Sequence, residues 1–146
     1  MKYFLSNKSL SKLKGVHPDL ARVVKRAIKI TDQDFAVTMG VRTAKQQYAL
    51  YQKGRTKPGS IVTYKDGYNN KSNHQKKEDG YGHSVDLTVW NGKYDWNDID
   101  GYKEVARAMF EAARLESVKL RWGADWDMDG FTSDESFLDW GHFELI

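Results

Sequence analysis

Apolar residues recur at helical spacing early in this chain and at strand spacing further on. Leu10 and Leu13 mark a short helix that ends at Gly15. A longer helix follows, with Pro18 at a favoured first-turn position and Leu20, Val23, Val24, Ala27 and Ile28 forming one stripe. His17 abuts that start and reads as a neighbour of the cap. The run Phe35-Ala36-Val37-Thr38-Met39 predicts a strand closed by Gly40. Thr43 is placed to cap a third helix carrying Tyr48, Leu50 and Tyr51, and Gly54 stops it.

Residues 55–82 are polar and rich in Lys, Gly, Asn and Ser, so they predict a long loop. A loop of that length inside a small domain is functional or disordered. Ser84 to Trp90 predicts a strand, and Asn91-Gly92 is a hairpin signal leading into Lys93-Tyr94-Asp95. Residues 100–117 predict a helix with Val105, Ala108, Met109, Ala112 and Leu115 on one face. Leu120-Arg121-Trp122 reads as a short strand, and an acidic loop leads to a last strand around 141–145. Helices come first and strands cluster later. The expected fold is α+β, with N-terminal helices packed on a small antiparallel sheet that carries the site.

With 146 residues, 40% of them apolar, the chain suits one domain spanning 1–146 with a real core. It has no cysteine, which excludes disulfides and thiolate ligands; a transition-metal site must use His and carboxylate. A net charge of +3 leans mildly toward an anionic partner such as nucleic acid, a membrane surface or bacterial cell wall, and names none of them. The first residues hold no long apolar run, so neither a signal peptide nor a membrane span is expected. That predicts a cytoplasmic chain needing outside help for export. The 5 Trp and 8 Tyr raise the idea of a carbohydrate platform, although core packing explains most of them.

The chemistry concentrates in Asp139-Trp140-Gly141-His142-Phe143-Glu144, read together with Ser72-Asn73-His74 and Asp86. His74, Asp86 and His142 offer two imidazoles and one carboxylate, the donor set of a hydrolytic zinc site with an open position. Asp139 is a spare carboxylate able to deprotonate water there. Blander readings stand beside this one. Asp86 shares a strand face with Ser84 and Thr88, which equally describes a polar solvent face. His142, flanked by Gly141 and Phe143, equally describes a satisfied core histidine.

A second metal signal lies in Asp125, Asp127, Asp129 and Gly130, the first half of an EF-hand-type calcium loop. Phe131, Asp134 and Glu135 complete the candidate calcium ligands. The second half departs from the rule, because Ser136 stands at the twelfth position while Asp134 and Glu135 come early. A solvated acidic loop is the alternative.

Four ordered segments resemble the zinc D,D/L,D-peptidases: Thr38-Met39-Gly40-Val41-Arg42-Thr43, Ser72-Asn73-His74, Gly82-His83-Ser84-Val85-Asp86 and Asp139 through Glu144. That group includes VanY-type D-alanyl-D-alanine carboxypeptidases and phage L-alanyl-D-glutamate endopeptidases. Val16-His17-Pro18-Asp19-Leu20 and Arg121-Trp122-Gly123-Ala124-Asp125-Trp126 bring the likeness nearest to the short phage endolysins. The resemblance implies zinc ligands at His74, Asp86 and His142 and a catalytic acid/base at Asp139. It implies that Arg42 orients substrate or stabilises an oxyanion, and that Ser72 supports substrate or ligand placement. One departure is clear. Eleven residues, Gln75 through Val85, separate His74 from Asp86, more than the family's usual spacing. Strict spacing would put Asp79 at the ligand position, and His83 offers a rival imidazole. The Ser-x-His context favours His74, and a longer loop costs little closure entropy. His83 then reads as a rim or substrate-contacting residue.

The expected function is hydrolysis of the L-alanyl-D-glutamate bond in peptidoglycan stem peptides by a monomeric phage endolysin with antimicrobial, wall-lysing action. It would be made in the host cytoplasm and released through the membrane by a separate factor, with no nucleic-acid partner. The alternatives are a D-alanyl-D-alanine carboxypeptidase and a non-catalytic wall- or calcium-binding module.

Overall fold

The computed structural model describes residues 3–133 and 138–146. Its elements run α1 (Asn7–Lys12), α2 (Pro18–Ile30), β1 (Phe35–Met39), α3 (Ala44–Gln52), β2 (Ser84–Val89), α4 (Ile99–Glu116), β3 (Leu120–Trp122) and β4 (His142–Leu145). Each helix begins where a side chain accepts one of the first-turn N–H groups: Ser6, His17, Thr43 and Asp98 in turn. His17 is therefore the cap of α2 itself. Pro18 has no N–H to offer, and His17 Nδ1 accepts from Asp19 N at 3.0 Å.

The strands form one antiparallel sheet in the order β1-β2-β4-β3. Val85, Leu87 and Val89 of β2 and Phe143 of β4 enter the core that α2 and α4 build with the sheet. Phe143 stacks on Trp122 at 6.3 Å and meets Phe110 of α4 edge-on at 6.4 Å. The architecture is α+β as expected, with one addition: α4, between β2 and β3, shares the helical layer with α2.

Two expectations need correction. Leu115 does not join the buried stripe of α4 but is 43% exposed. At 3.6 residues per turn it sits about 120° from Met109, the centre of that stripe. The polar face of β2 is also not a solvent face. Ser84 and Thr88 are buried, and the segment around His74 lies over the sheet there, with Asn73 Nδ2 donating to Glu144 Oε2 at 3.1 Å.

Residues 55–82 hold no helix or strand, yet they are tied down. Gln47, wholly buried in α3, donates from Nε2 to Thr63 Oγ1 at 3.2 Å and to the Lys65 carbonyl at 2.8 Å. Gln75 Nε2 donates to the Gly67 carbonyl, and Arg42 N to the His74 carbonyl. The extra residues before Asp86 close on themselves. Lys77 N donates to Tyr81 O and Gly80 N to Lys77 O, after which His83 N returns to Asn73 O at 2.8 Å. The excursion therefore lengthens the chain between His74 and Asp86 without separating them. Among the described residues no helix is long and apolar enough to cross a membrane.

Candidate active site

Asp86 lies directly opposite His142 in the β2–β4 ladder, so their side chains leave the sheet on the same face. His74 reaches them from the pinned loop. The atoms its ring presents are set by its neighbours. The Gly40 carbonyl can only accept, so His74 Nδ1 donates to it at 2.9 Å and Nε2 turns to Asp86 Oδ1 at 3.3 Å. His142 is oriented the other way round. Its Nε2 donates to Glu144 Oε1 at 2.7 Å, which aims Nδ1 at Asp86 Oδ1, 3.2 Å away. Carboxylate and carbonyl partners of this kind fix the tautomers of metal-binding histidines.

The three donor atoms lie within 4.8 Å of one another. Donors about 2.0–2.2 Å from a tetrahedral ion stand about 3.3–3.6 Å apart. Separations of 3.2 and 3.3 Å already have those dimensions. Two imidazoles and a carboxylate on this scale fit a divalent transition metal.

Asp139 is fastened beside them by a close backbone weave. Asp139 N donates to Gly123 O at 2.8 Å, Gly123 N to His142 O at 2.8 Å, and His142 N to Asp139 O at 3.2 Å. Only glycine permits that approach. A Cβ on Gly123 would stand 2.9 Å from the Cβ atoms of both Asp139 and His142, and one on Gly141 would overlap the Leu87 carbonyl oxygen. Asp86 and Asp139 line one cavity of ≈ 430 Å³ with Thr38, Trp96, Tyr102 and Trp140.

Arg42 sits at the edge of the group. Its Nη1 donates to Gln47 Oε1 at 2.7 Å and its Nη2 lies 3.8 Å from Asp86 Oδ2, while its buried Nε has no hydrogen-bond partner among the described residues. Ser72 Oγ accepts from His74 N at 3.2 Å. His83 stands apart from the cluster, with Nε2 on Asp79 Oδ2 at 2.7 Å and its ring edge-on to His17 at 5.2 Å. Sequence reasoning missed Glu144 and Gln47. Glu144 carried a signal, since it lies two residues from His142 and so shares its strand face. Gln47 carried none.

Electrostatics tie the cluster together. Burial works against the Asp86 carboxylate, but hydrogen bonds from His142 and His74 and their charge outweigh it, holding its pKa well below the usual carboxylate range. Burial also works against charge on His142, yet Asp86 and Glu144 push its pKa up to about 9. Burial raises the Glu144 carboxyl, but the hydrogen bond and charge of His142, together with Asn73 and the Arg121 charge, bring it below its ordinary value. Asp139 moves the opposite way, raised by burial and by the Asp86 charge beside it. The Arg42 guanidinium is lowered by burial, against the pull of Asp86 and Asp139.

Asp125, Asp127 and Asp129 also converge, with carboxylate oxygens within 4.8 Å of one another. Those oxygens accept backbone bonds: Asp125 Oδ2 from Gly130 N at 2.9 Å and Asp129 Oδ1 from Phe131 N at 2.8 Å. Burial and the two neighbouring acids raise the Asp125 carboxyl. Asp134 and Glu135 lie outside the described residues.

The whole chain, residues 1–146, matches the family model described as phage L-alanyl-D-glutamate peptidase. The L-alanyl-D-glutamate peptidase of Escherichia phage T5 is 30% identical over 150 residues, covering 100% of both chains. The peptidoglycan L-alanyl-D-glutamate endopeptidase CwlK of Bacillus subtilis (strain 168) is 31% identical over 117 residues, 77% of this chain and 61% of its own. The crystal structure of the Serratia marcescens L-Ala D-Glu endopeptidase ChiX superposes with a TM-score of 0.73 at 26% identity, covering 99% of this chain and 92% of that one. The D,D-dipeptidase VanXYg shares the fold, with a TM-score of 0.56 at 19% identity over 89% of this chain and 50% of its own.

The raised His142 pKa makes the metal-free protein sensitive to alkali. A group whose pKa is higher folded than unfolded stabilises fully below its ordinary 6.5 and loses that contribution as pH rises through about 9. Urea unfolding in chelator should show stability falling across that window, by at most about 3 kcal/mol. A His142→Asn variant should show a flatter profile between the same limits. Equal slopes in the two proteins would remove the imidazolium from the account.

Proposed function

The chain belongs to the phage L-alanyl-D-glutamate peptidase family, and from that premise we propose that it hydrolyses the L-alanyl-D-glutamate bond of peptidoglycan stem peptides at a zinc site formed by His74, Asp86 and His142. The observation that carries this reading is the meeting of His74 Nε2, Asp86 Oδ1 and His142 Nδ1 at zinc-site separations, with Asp86 and Asp139 lining one cavity. Zinc bound there supplies Lewis acidity, polarising the scissile carbonyl and acidifying water.

The chain's own groups do the rest. Asp139 accepts the proton of the attacking water and returns it to the departing amine, and its raised pKa suits both halves of that transfer. Arg42, a permanently charged fork whose buried Nε has no partner among the described residues, faces the developing oxyanion or a substrate carboxylate. Ser72 acts through the backbone of His74, and His83 is a rim contact for substrate. No covalent intermediate is needed. Residues 1–146 serve as one monomeric catalytic domain that lyses cell walls after a separate factor releases it from the host cytoplasm, and it takes no nucleic acid. A D,D-carboxypeptidase is the second reading, and its support is the VanXYg fold likeness alone. A non-catalytic module would have no use for all four of His74, Asp86, His142 and Asp139.

Digesting purified peptidoglycan separates these readings: new amino termini on D-glutamate are expected, whereas released D-alanine would favour the carboxypeptidase. The protein should hold about one zinc per chain. His74→Ala should lose most of it and His83→Ala should keep it; the reverse pattern would transfer the ligand role to His83.

Asp139→Asn should retain zinc and fold while losing on the order of 10²–10⁴-fold in rate. Near-full activity in that variant would take Asp139 out of the mechanism.

Calcium at Asp125, Asp127 and Asp129, with the Phe131 carbonyl and with Asp134 and Glu135, is proposed as a second metal site that orders the approach to Asp139. Its support is the convergence of the three carboxylates. Calorimetric titration should give a calcium heat in the wild type that an Asp127→Ala, Asp129→Ala double variant lacks. No heat in the wild type would leave a solvated acidic turn.

A further inference from the structure

The hairpin after β2 carries an aromatic cluster that the peptide-cleaving chemistry does not use. Its turn, with Gly92 at φ +80°, brings Trp90 opposite Tyr94. Their ring centroids stand 5.2 Å apart edge to face, and Tyr94 continues to Trp96 at 6.0 Å. Trp90 and Tyr94 are each 37% exposed and Trp96 is 61% exposed. Adjoining apolar side chains left in water mark binding surfaces more often than accidents.

This hairpin is well anchored. Gln33 Nε2 donates to the Trp90 carbonyl at 3.1 Å and to Asn91 Oδ1 at 2.9 Å. Asn91 Nδ2 in turn donates to Asp98 Oδ2 at 3.0 Å, and Asp98 caps α4. The rings are thus presented on a braced support, so little freedom is lost when a ligand settles on them. Trp96 is also a wall of the cavity that contains Asp86 and Asp139. The cluster therefore extends the reaction cavity outward along the surface.

We infer that Trp90, Tyr94 and Trp96 form a platform for the N-acetylhexosamine rings of the glycan strand from which the stem peptide hangs. This rests on the peptidoglycan reading above. A pyranose presents C–H groups on its flat face, and an aromatic ring offers the negative pole of its quadrupole to them. Lys93 and Asn97, both exposed on the same hairpin or just after it, supply polar groups for hydroxyls and acetamides. Substrate connectivity supplies the rest of the argument. The alanine of the scissile bond is itself joined to muramic acid, so a sugar lies beside the reaction cavity whenever intact wall is cut. A platform sharing a wall with that cavity lies where the sugar must pass.

The test has a binding arm and a kinetic arm. Tryptophan indole N–H signals are followed by NMR while N-acetylglucosamine oligomers are titrated into the zinc-loaded protein. Saturable shifts at Trp90 and Trp96 are expected, with affinity reduced about 3- to 10-fold in Tyr94→Ala and restored in Tyr94→Phe. The kinetic arm compares kcat/KM for a stem peptide bearing its muramyl disaccharide with that for the sugar-free peptide. The ratio should fall by a similar factor in Tyr94→Ala and recover in Tyr94→Phe. Absent shifts, or a ratio unchanged in Tyr94→Ala, would overturn the platform while leaving the peptidase intact. Shifts that follow protein concentration without sugar would overturn it in favour of a second copy of the chain. Sugar-dependent shifts in a protein that cleaves neither substrate would uphold the platform and sink the peptidase reading instead.

Discussion

The register of β2 against β4 is the constraint on which the site depends. Pairing Asp86 with His142 puts a carboxylate and an imidazole on one face, while the neighbouring pair of Val85 and Phe143 enters the core. Side chains alternate strictly along a strand, so a slip of one residue would turn His142 into the apolar core and expel Phe143 from it. The apolar core thus holds the His142 imidazole in place. Phe143 is fully buried against Trp122 and Phe110, and the cost of exposing that ring is also the cost of misplacing His142 and Glu144.

Around that pair, the polar groups behave as one charge-balanced unit. Asp86 receives both imidazoles, His142 spans Asp86 and Glu144, and Asn73 holds the far oxygen of Glu144. With carboxylates on both nitrogens, His142 carries two ring protons and a positive charge. A divalent cation among the same donors would take over the Nδ1 proton's role, which makes metal binding and proton release one event. Asp139 stands just outside this balance. Burial and the Asp86 charge outweigh the charges of His142 and His74 near it, and its pKa rises while that of Asp86 falls. Two carboxylates in one cavity with pKa values pushed apart are suited to different tasks, one holding a cation and one moving a proton.

Much of this was legible in the sequence, and the gaps have physical causes. Periodicity located the elements, because α2 and β2 bury continuous apolar faces. The donor set was visible because His74, Asp86 and His142 occur with Asp139 in a recognisable order. Periodicity could not say what covers the polar face of β2, since the cover is a segment with no repeat of its own. It could not show that Gln47 anchors both Arg42 and the loop, because a buried amide in a short helix looks like any other polar residue. The long spacing between His74 and Asp86 was ambiguous for the same reason. Backbone bonds from His83 to Asn73 and from Lys77 to Tyr81 turn the extra residues into a side loop, and sequence spacing counts residues rather than distance.

The loops and turns around the sheet divide the labour. Close approaches of Gly123 and Gly141 lock Asp139 to His142, and side-chain amides pin the loop that delivers His74. Such fixation holds these side chains in one arrangement in advance of any ligand, the condition under which electrostatic catalysis gains most. The hairpin at Trp90–Trp96 is braced in the same manner, through Gln33 and Asn91, but what it holds rigid is an exposed aromatic surface. Trp90 and Tyr94 lie nearly two-thirds buried there, which folding stability explains, but stability alone does not account for the 61% exposure of Trp96. A ligand that meets the rings and the reaction cavity together does, because Trp96 belongs to both.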